Sequence, residues 1–415
     1  MRLSLAAMLC VAAAASLPAE DWPQFRGAHQ GLSLETGLPL RWSGSSGLAW
    51  KTPLPGPGHS SPVVSGERIF LTAFEPQGAV SNIIWWRSGR LLVLCLDRQT
   101  GRILWQREVP AKRIEELHST NAPASPTPVS DGQRVYVHFG SFGLVAFDLE
   151  GRKLWEKPLG PFPNDWGSAS SPILYGKLLL LNCDTDGEDF LLAVDKATGR
   201  TVWRTSRPDA TRAWPTPMIW SADGADQIVV SGSGRVKAYD PKDGRELWTV
   251  EGLTTWVTPT PVAAHGLLFV ASNGPGGNVV MAIRPGGRGN VTATHVAWRY
   301  DGSAPYNSSP VVVGDHLYTV KNGGVMTCFD ARGGAVVWQG RLTARGNYYA
   351  SLIAGDGRVY ALSEDGEASV VEAGKTFRIL ATNALGERTM ATPAVSGGRL
   401  FIRSDASLFA VAPGR

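Results

Sequence analysis

The stretch Leu96-Asp97-Arg98-Gln99-Thr100-Gly101-Arg102-Ile103-Leu104-Trp105 decides how this chain is read, because its relatives return along the sequence. AVDKATGRTVW ends at Trp203, AYDPKDGRELW at Trp248, CFDARGGAVVW at Trp338, and the shorter AFDLEGRKLW at Trp155. Looser versions end at Trp50 and Trp298, so successive tryptophans stand 55, 50, 48, 45, 50 and 40 residues apart. Intervals of that size match one four-stranded blade of a radial β repeat. Asp-x-x-Thr-Gly makes a tight hairpin: the carboxylate caps the turn and the glycine takes a positive φ. The apolar strand that follows carries an indole to a constant place, where it can wedge between neighbouring sheets and offer one N–H.

A second mark opens each unit, a Ser/Thr-Pro pair followed by an apolar strand. It stands at Ser61-Pro62, Thr127-Pro128, Ser171-Pro172, Thr216-Pro217, Thr260-Pro261, Ser309-Pro310 and Thr392-Pro393, with Ser351-Leu352 in the remaining slot. Strand-length apolar runs such as ERIFLTA, QRVYVHFG and RVYAL lie between the two marks, and only 111–118 could form a short helix. The fold expected is all-β: an eight-bladed propeller of four-stranded antiparallel blades. Eight opening marks but seven tryptophans are reconciled if Leu380 stands in for the indole of the seventh unit. The N-terminal strand LAWKTPL then brings Trp50 to the unit after Thr392, pairing first and last strands in one blade and leaving no open edge. The blade-docking set is Trp50, Trp105, Trp155, Trp203, Trp248, Trp298 and Trp338.

Composition agrees with a large turn-rich globular chain: 415 residues with 48 glycines, 28 prolines, 15 tryptophans and 43% hydrophobic residues. Net charge is +4 with the signs mixed along the chain, so no nucleic-acid partner is expected. Met1-Arg2 followed by the apolar run from Leu3 to Leu17 reads as a secretory signal peptide over residues 1–19, leaving 20–415 as a single propeller domain. The run is short for a transmembrane span, and Cys10 follows Leu9, which does not suit lipidation. The expected location is extracytoplasmic, periplasmic or secreted, and the expected state a monomer. Cys95, Cys183 and Cys328 sit in apolar strand-like runs and read as core residues, not as a disulfide framework.

From about residue 40 to the end, these repeats resemble the PQQ-like (pyrroloquinoline-quinone-type) β-propeller repeat of quinoprotein dehydrogenases and of the outer-membrane assembly lipoprotein. Asp21-Trp22-Pro23-Gln24-Phe25-Arg26-Gly27 is similar to the opening of a group of exported bacterial PQQ-like repeat proteins. In the dehydrogenases, the resemblance implies a quinone on the propeller axis beside calcium, covered by a ring of two adjacent cysteines. This chain has no Cys-Cys pair and no Cys-x-x-Cys-His haem site, and no calcium-ligand or catalytic Asp position can be matched to it by motif. No catalytic or metal residue is assigned, and no cofactor is expected, PQQ with calcium remaining the alternative.

Ligands of propellers meet the loops at the mouth of the central channel, so the residues two positions before each Ser/Thr mark are the first candidates: His59, Ser125, Ala169, Trp214, Thr258, Asn307, Tyr349 and Met390. Trp166 and Trp256 lie slightly upstream in their units. His59, Trp166, Trp214, Trp256, Asn307 and Tyr349 form an aromatic and amide set suited to a small polar or sugar-like ligand; the same residues could simply pack the channel mouth. His59 lacks a ligand partner at metal spacing and reads as a hydrogen-bonding loop histidine. The four carboxylates between Asp184 and Asp189 could hold calcium or form an acidic hairpin tip. The insertion from Phe74 to Arg90, with Ile83-Ile84-Trp85-Trp86, suits a docking surface for a protein partner or a lid packed on its blade. The leading functional expectation is a non-catalytic envelope module that binds a protein partner or a small polar ligand. The alternative is a quinoprotein-type dehydrogenase.

Overall fold

A computed structural model describes residues 20–77, 89–110, 117–118, 120–163, 165–210 and 213–413. Residues 1–19, the Ile83–Trp86 part of the first-unit insertion and most of the 111–118 stretch lie outside the described residues. The strands form eight sheets built on four antiparallel strands each, one of them extended by a short fifth strand, arranged as the blades of a propeller. Blades 1 to 7 run from Val63 to Val109, Val129 to Lys157, Ile173 to Ser206, Met218 to Glu251, Val262 to Tyr300, Val311 to Arg341 and Ile353 to Ala384. Blade 8 joins Ala394–Val411 to the N-terminal strand Leu48–Pro53, in which Trp50 pairs with Ala410. Closure through Trp50 is therefore as the tryptophan count requires.

The alternation of each strand fixes which face it buries. The two middle strands of a blade are apolar on both faces because sheets flank them, as in Val135–His138 and Leu144–Phe147, whereas the outer strand Ile103–Val109 alternates toward solvent. At the hairpin before the outer strand of blade 1, Asp97 Oδ1 accepts from the Thr100 N–H at 2.8 Å, the Gln99 N–H at 3.1 Å and the Thr100 hydroxyl at 2.7 Å. These hydrogen bonds, the Thr100 hydroxyl's first, hold the Asp97 carboxyl below its usual range. Asp195 repeats the arrangement with Thr198 and Ala197.

The indoles reach across to the next blade. Nε1 donates to a turn carbonyl of the following sheet from Trp50 (Arg98, 3.1 Å), Trp105 (Leu149, 2.8 Å), Trp155 (Lys196, 3.1 Å), Trp203 (Pro241, 3.1 Å), Trp298 (Ala331, 3.0 Å) and Trp338 (Gly374, 2.9 Å). At five of these junctions the turn glycine lies against the same ring: a Cβ on Gly199, whose φ is +73°, would come within 2.7 Å of Trp155. That glycine is required twice, by its conformation and by the indole above it.

Two junctions depart from the rule. Trp248 donates instead to Gln227 of its own blade at 2.7 Å, because blade 5 replaces the short hairpin by a longer loop whose Gly289–Asn290 adds a parallel fifth strand to blade 4. In blade 7 the register corrects the expectation about Leu380. Every outer strand carries a bulge one residue before its tryptophan, and in blade 7 that bulge falls on Leu380, so the residue at the tryptophan position is Ala381, opposite Val370. Trp42 supplies the missing indole from the N-terminal segment. It is buried in the cluster that holds Ala381 and lies 6.4 Å from Tyr360, the residue equivalent to Phe70 and Tyr318, which pack at a tilt against their own blade's tryptophan.

The Ser/Thr marks form a chain of hydrogen bonds around the axis. The N–H of Ser61 donates to Thr127 Oγ1 (2.9 Å), and the pattern continues through Ser171, Thr216, Thr260, Ser309 and Ser351 to Thr392 (2.8 Å). Ser351, which has Leu in place of Pro after it, takes its place in the series.

Beneath this belt the N-terminal segment crosses the channel. Trp22 bridges to Val64 of blade 1, the Pro23 carbonyl accepts from Ser130 N–H of blade 2 at 2.8 Å, and the Arg26 guanidinium donates to the Pro310 carbonyl at the start of blade 6, across the ring. Gln30 then accepts from Ala263 N–H of blade 5 at 2.6 Å, and Ser33 and Glu35 reach blades 7 and 8.

Candidate functional site at the channel mouth

A cavity of about 380 Å³ opens at the channel mouth, where the connections between blades converge. All eight residues at the offset singled out above line it, and so do Trp166 and Trp256; the six aromatic and amide candidates share one wall system. His118 packs at a tilt against Trp166 with ring centroids 4.1 Å apart, and Trp166 lies 6.3 Å from Trp256. Trp214 Nε1 donates to the Gly167 carbonyl at 2.8 Å, which fixes the ring's orientation. Asn121, held through Nδ2 to the Trp166 carbonyl at 2.5 Å, ties the His118 loop to the Trp166 loop. Tyr306 and Tyr349 also line the cavity, and burial raises both phenols above their usual range.

His59 is held neutral. Burial and then the charges of Arg388 and Arg403 lower its pKa to about 3. Its Nδ1 lies 3.3 Å from Ser125 Oγ and its Nε2 3.9 Å from an Asp405 oxygen. Arg403 is buried behind it, donating to the Ser60 hydroxyl at 2.6 Å, and burial lowers its own pKa to about 9. Asn307 Nδ2 is buried without a hydrogen-bond partner.

The belt hydroxyls complete the lining. Ser171, Thr216, Thr260, Ser309, Ser351 and Thr392 each accept one backbone N–H, and no described residue accepts their O–H hydrogens. Each therefore retains one donor and one lone pair for a ligand. Among the described residues of the lining there is no carboxylate, ammonium or guanidinium.

Sequence offsets found the wall but not Phe25, His118, Asn121 or Tyr306. Phe25 was visible only as part of the Asp21–Gly27 motif; Tyr306 adjoins Asn307, and nothing in the spacing marks His118 or Asn121.

The acidic loop of blade 3 is satisfied by its own chain. Asp184 is buried and receives both Arg207 Nε (2.9 Å) and Nη2 (3.0 Å), while Asp189 Oδ1 accepts from Thr185 N–H at 2.5 Å. Glu188 points outward to Arg204 at 2.7 Å. Among the described residues no three His, Cys, Asp or Glu side chains converge to hold a metal. The three described cysteines are buried and unpaired, and burial pushes the thiols of Cys95 and Cys328 up to about 12. A calcium-linked quinone needs oxygen donors of the carboxylate type at the axis, and the residues lining this cavity do not fit it.

Comparison with known proteins places this geometry in a class of repeat propellers. A family model described as "Outer membrane protein assembly factor BamB" matches residues 41–184 and 187–414, and the chain belongs to that PQQ-repeat family. The outer membrane protein assembly factor BamB of Alteromonas naphthalenivorans is 26% identical over 235 residues, 51% of this chain and 54% of that protein. A polyvinylalcohol dehydrogenase of Pseudomonas sp is 22% identical over 54% of this chain and 31% of its own length. The chain thus matches about half or less of each of these relatives. The crystal structure of BamB from Moraxella catarrhalis superposes with a TM-score of 0.63 at 16% identity, over 88% of this chain and 96% of that one, a likeness of fold. Among the described residues no helix is long and apolar enough to cross a membrane.

Proposed function

We propose that this protein is a non-catalytic propeller of the cell envelope that binds a small, uncharged, sugar-like ligand in the channel-mouth cavity. The observation that carries the reading is the lining: aromatic faces from Trp166, Trp214, Trp256 and Tyr349 combine with a belt of half-satisfied hydroxyls and no formal charge. Aromatic faces stack on the C–H faces of a sugar ring, and hydroxyls with one donor and one acceptor left match sugar hydroxyls group for group. The volume falls within the roughly 300–1,000 Å³ of small-molecule sites. Export is supported by the leader-like sequence at residues 1–19 and by the family's name.

The test is a calorimetric titration of the mature chain with neutral mono- and oligosaccharides of gluco, galacto, manno and N-acetylglucosamine types. Saturable binding that Trp166→Ala weakens by about tenfold or more supports the reading. No binding to any of them overturns it. The dehydrogenase relative motivates a second reading, tested on the same preparation by adding PQQ and calcium. Dye reduction with alcohols or sugars would replace the non-catalytic reading by that one.

A further inference from the structure

The cavity has a floor, and the floor comes from outside the propeller repeats. Phe25 lines the mouth cavity from below and also lines a second hollow of about 220 Å³ beneath it; Thr216 and Thr260 border both. Its neighbours in sequence are anchored at opposite sides of the ring, Pro23 on blade 2 and Arg26 on blade 6, so Phe25 is suspended over the axis. The anchoring is firm. Arg26 is buried, with Nη2 also donating to the Gln30 carbonyl at 2.5 Å, and Gly27 follows at a φ of +66° packed against Trp22. The channel that eight blades would otherwise leave open is therefore crossed by this segment, and the Phe25 ring is the part of it that borders both the mouth cavity and the lower hollow.

We infer that the site, on the reading given above, recognises the end of a neutral saccharide chain, and that Phe25 sets how many units enter. A through-channel lets an inner segment of a polymer slide along the axis. A blind cavity does not: only a terminus can descend past the Trp166–Trp256 wall to the belt hydroxyls, and further units must stay in the solvent above the mouth. The cavity volume suits about one or two sugar rings. Asn307, whose buried Nδ2 has no partner, adds a donor that a terminal unit can satisfy. The lower hollow is lined partly by polar groups of Gln24, Thr216 and Thr260, so removing the Phe25 ring would join two compatible spaces.

The experiment is a length series on the mature full chain, using the sugar type that binds best and running from one to six units, with a cyclodextrin as an endless probe where that type is gluco. Wild type is expected to gain about fivefold or more in affinity from one to two units and to change by less than about twofold beyond. The cyclodextrin is expected to bind about tenfold or more weaker than its linear counterpart. Phe25→Ala should move the plateau to three or four units, and Phe25→Leu, which still fills the axis, should keep it at two. Affinity that climbs steadily with length in the wild type, a cyclodextrin bound as tightly as a linear chain, or a plateau unmoved in a folded Phe25→Ala variant overturns the inference while leaving saccharide binding in place. Absence of binding to every saccharide overturns the parent reading instead.

Discussion

The tryptophan girdle and the channel mouth are both eightfold features, yet they differ in how their positions are filled. In the girdle, six of the eight junctions carry the same residue doing the same thing, an indole donating to the next blade's turn, and in five of them a turn glycine lies against that indole. At the mouth, eight equivalent positions carry His, Ser, Ala, Trp, Thr, Asn, Tyr and Met, no two alike. Repetition serves packing, because each blade meets its neighbour through the same geometry. A ligand in the axis meets all blades at once, so its site has no reason to share their symmetry. The two layers are joined by the belt of Ser/Thr marks, which repeats like the girdle and faces the cavity like the mouth.

The largest expected effect tests the girdle at its most buried member. Trp248 is 1% exposed and packed edge-on against Trp220, so Trp248→Ala should cost about 3–5 kcal/mol in urea denaturation, more than Trp105→Ala at its half-buried site. A smaller loss at Trp248 would mean that blade 4 relaxes around the gap through its added strand. Gly199→Ala should cost about 1–3 kcal/mol, from the positive φ and the close approach to Trp155.

The mouth is expected to register in pH before it registers in stability at neutral pH. The folded-state pKa of His59 is lowered to about 3 and that of buried His138 to about 4, whereas an unfolded histidine titrates near 6.5. Both are neutral and fully compatible with the fold above that value. As pH falls from about 6.5 toward 3, the unfolded chain takes up protons that the folded chain refuses, and stability is lost. A His59→Gln variant should remove about 2 kcal/mol of the loss between pH 6.5 and 5, read from urea midpoints at each pH. An unchanged slope would show that His59 is more hydrated than its surroundings imply. Smallest of all, Trp256→Ala should change stability by under about 1 kcal/mol, since the ring is partly exposed, while altering saccharide binding. A loss as large as that at Trp248 would erase the distinction between the two layers.

The girdle was legible in the sequence because it is periodic: Trp105, Trp155 and Trp203 return after recognisable turns, and Trp50 had to close the ring. The same periodicity misled at Leu380, since a bulge of one residue is invisible in a spacing count, and it gave no hint of Trp42, which fills the gap at Ala381 from a segment outside the repeats. The mouth was legible in part. A fixed offset from the Ser/Thr marks reached the eight wall residues because the chain enters every blade in the same way.

The sequence by itself determined the number of blades, the closing strand and the residues brought to the mouth, because these follow from local turns and repeated spacing. Only the tertiary structure decided that Asp184 is spent on Arg207, that Ala381 borrows the indole of Trp42, and that the segment carrying Phe25 crosses the channel beneath the mouth. Each of these depends on contacts between residues far apart in the chain and belonging to no repeat, and a one-dimensional pattern carries no distance between such residues.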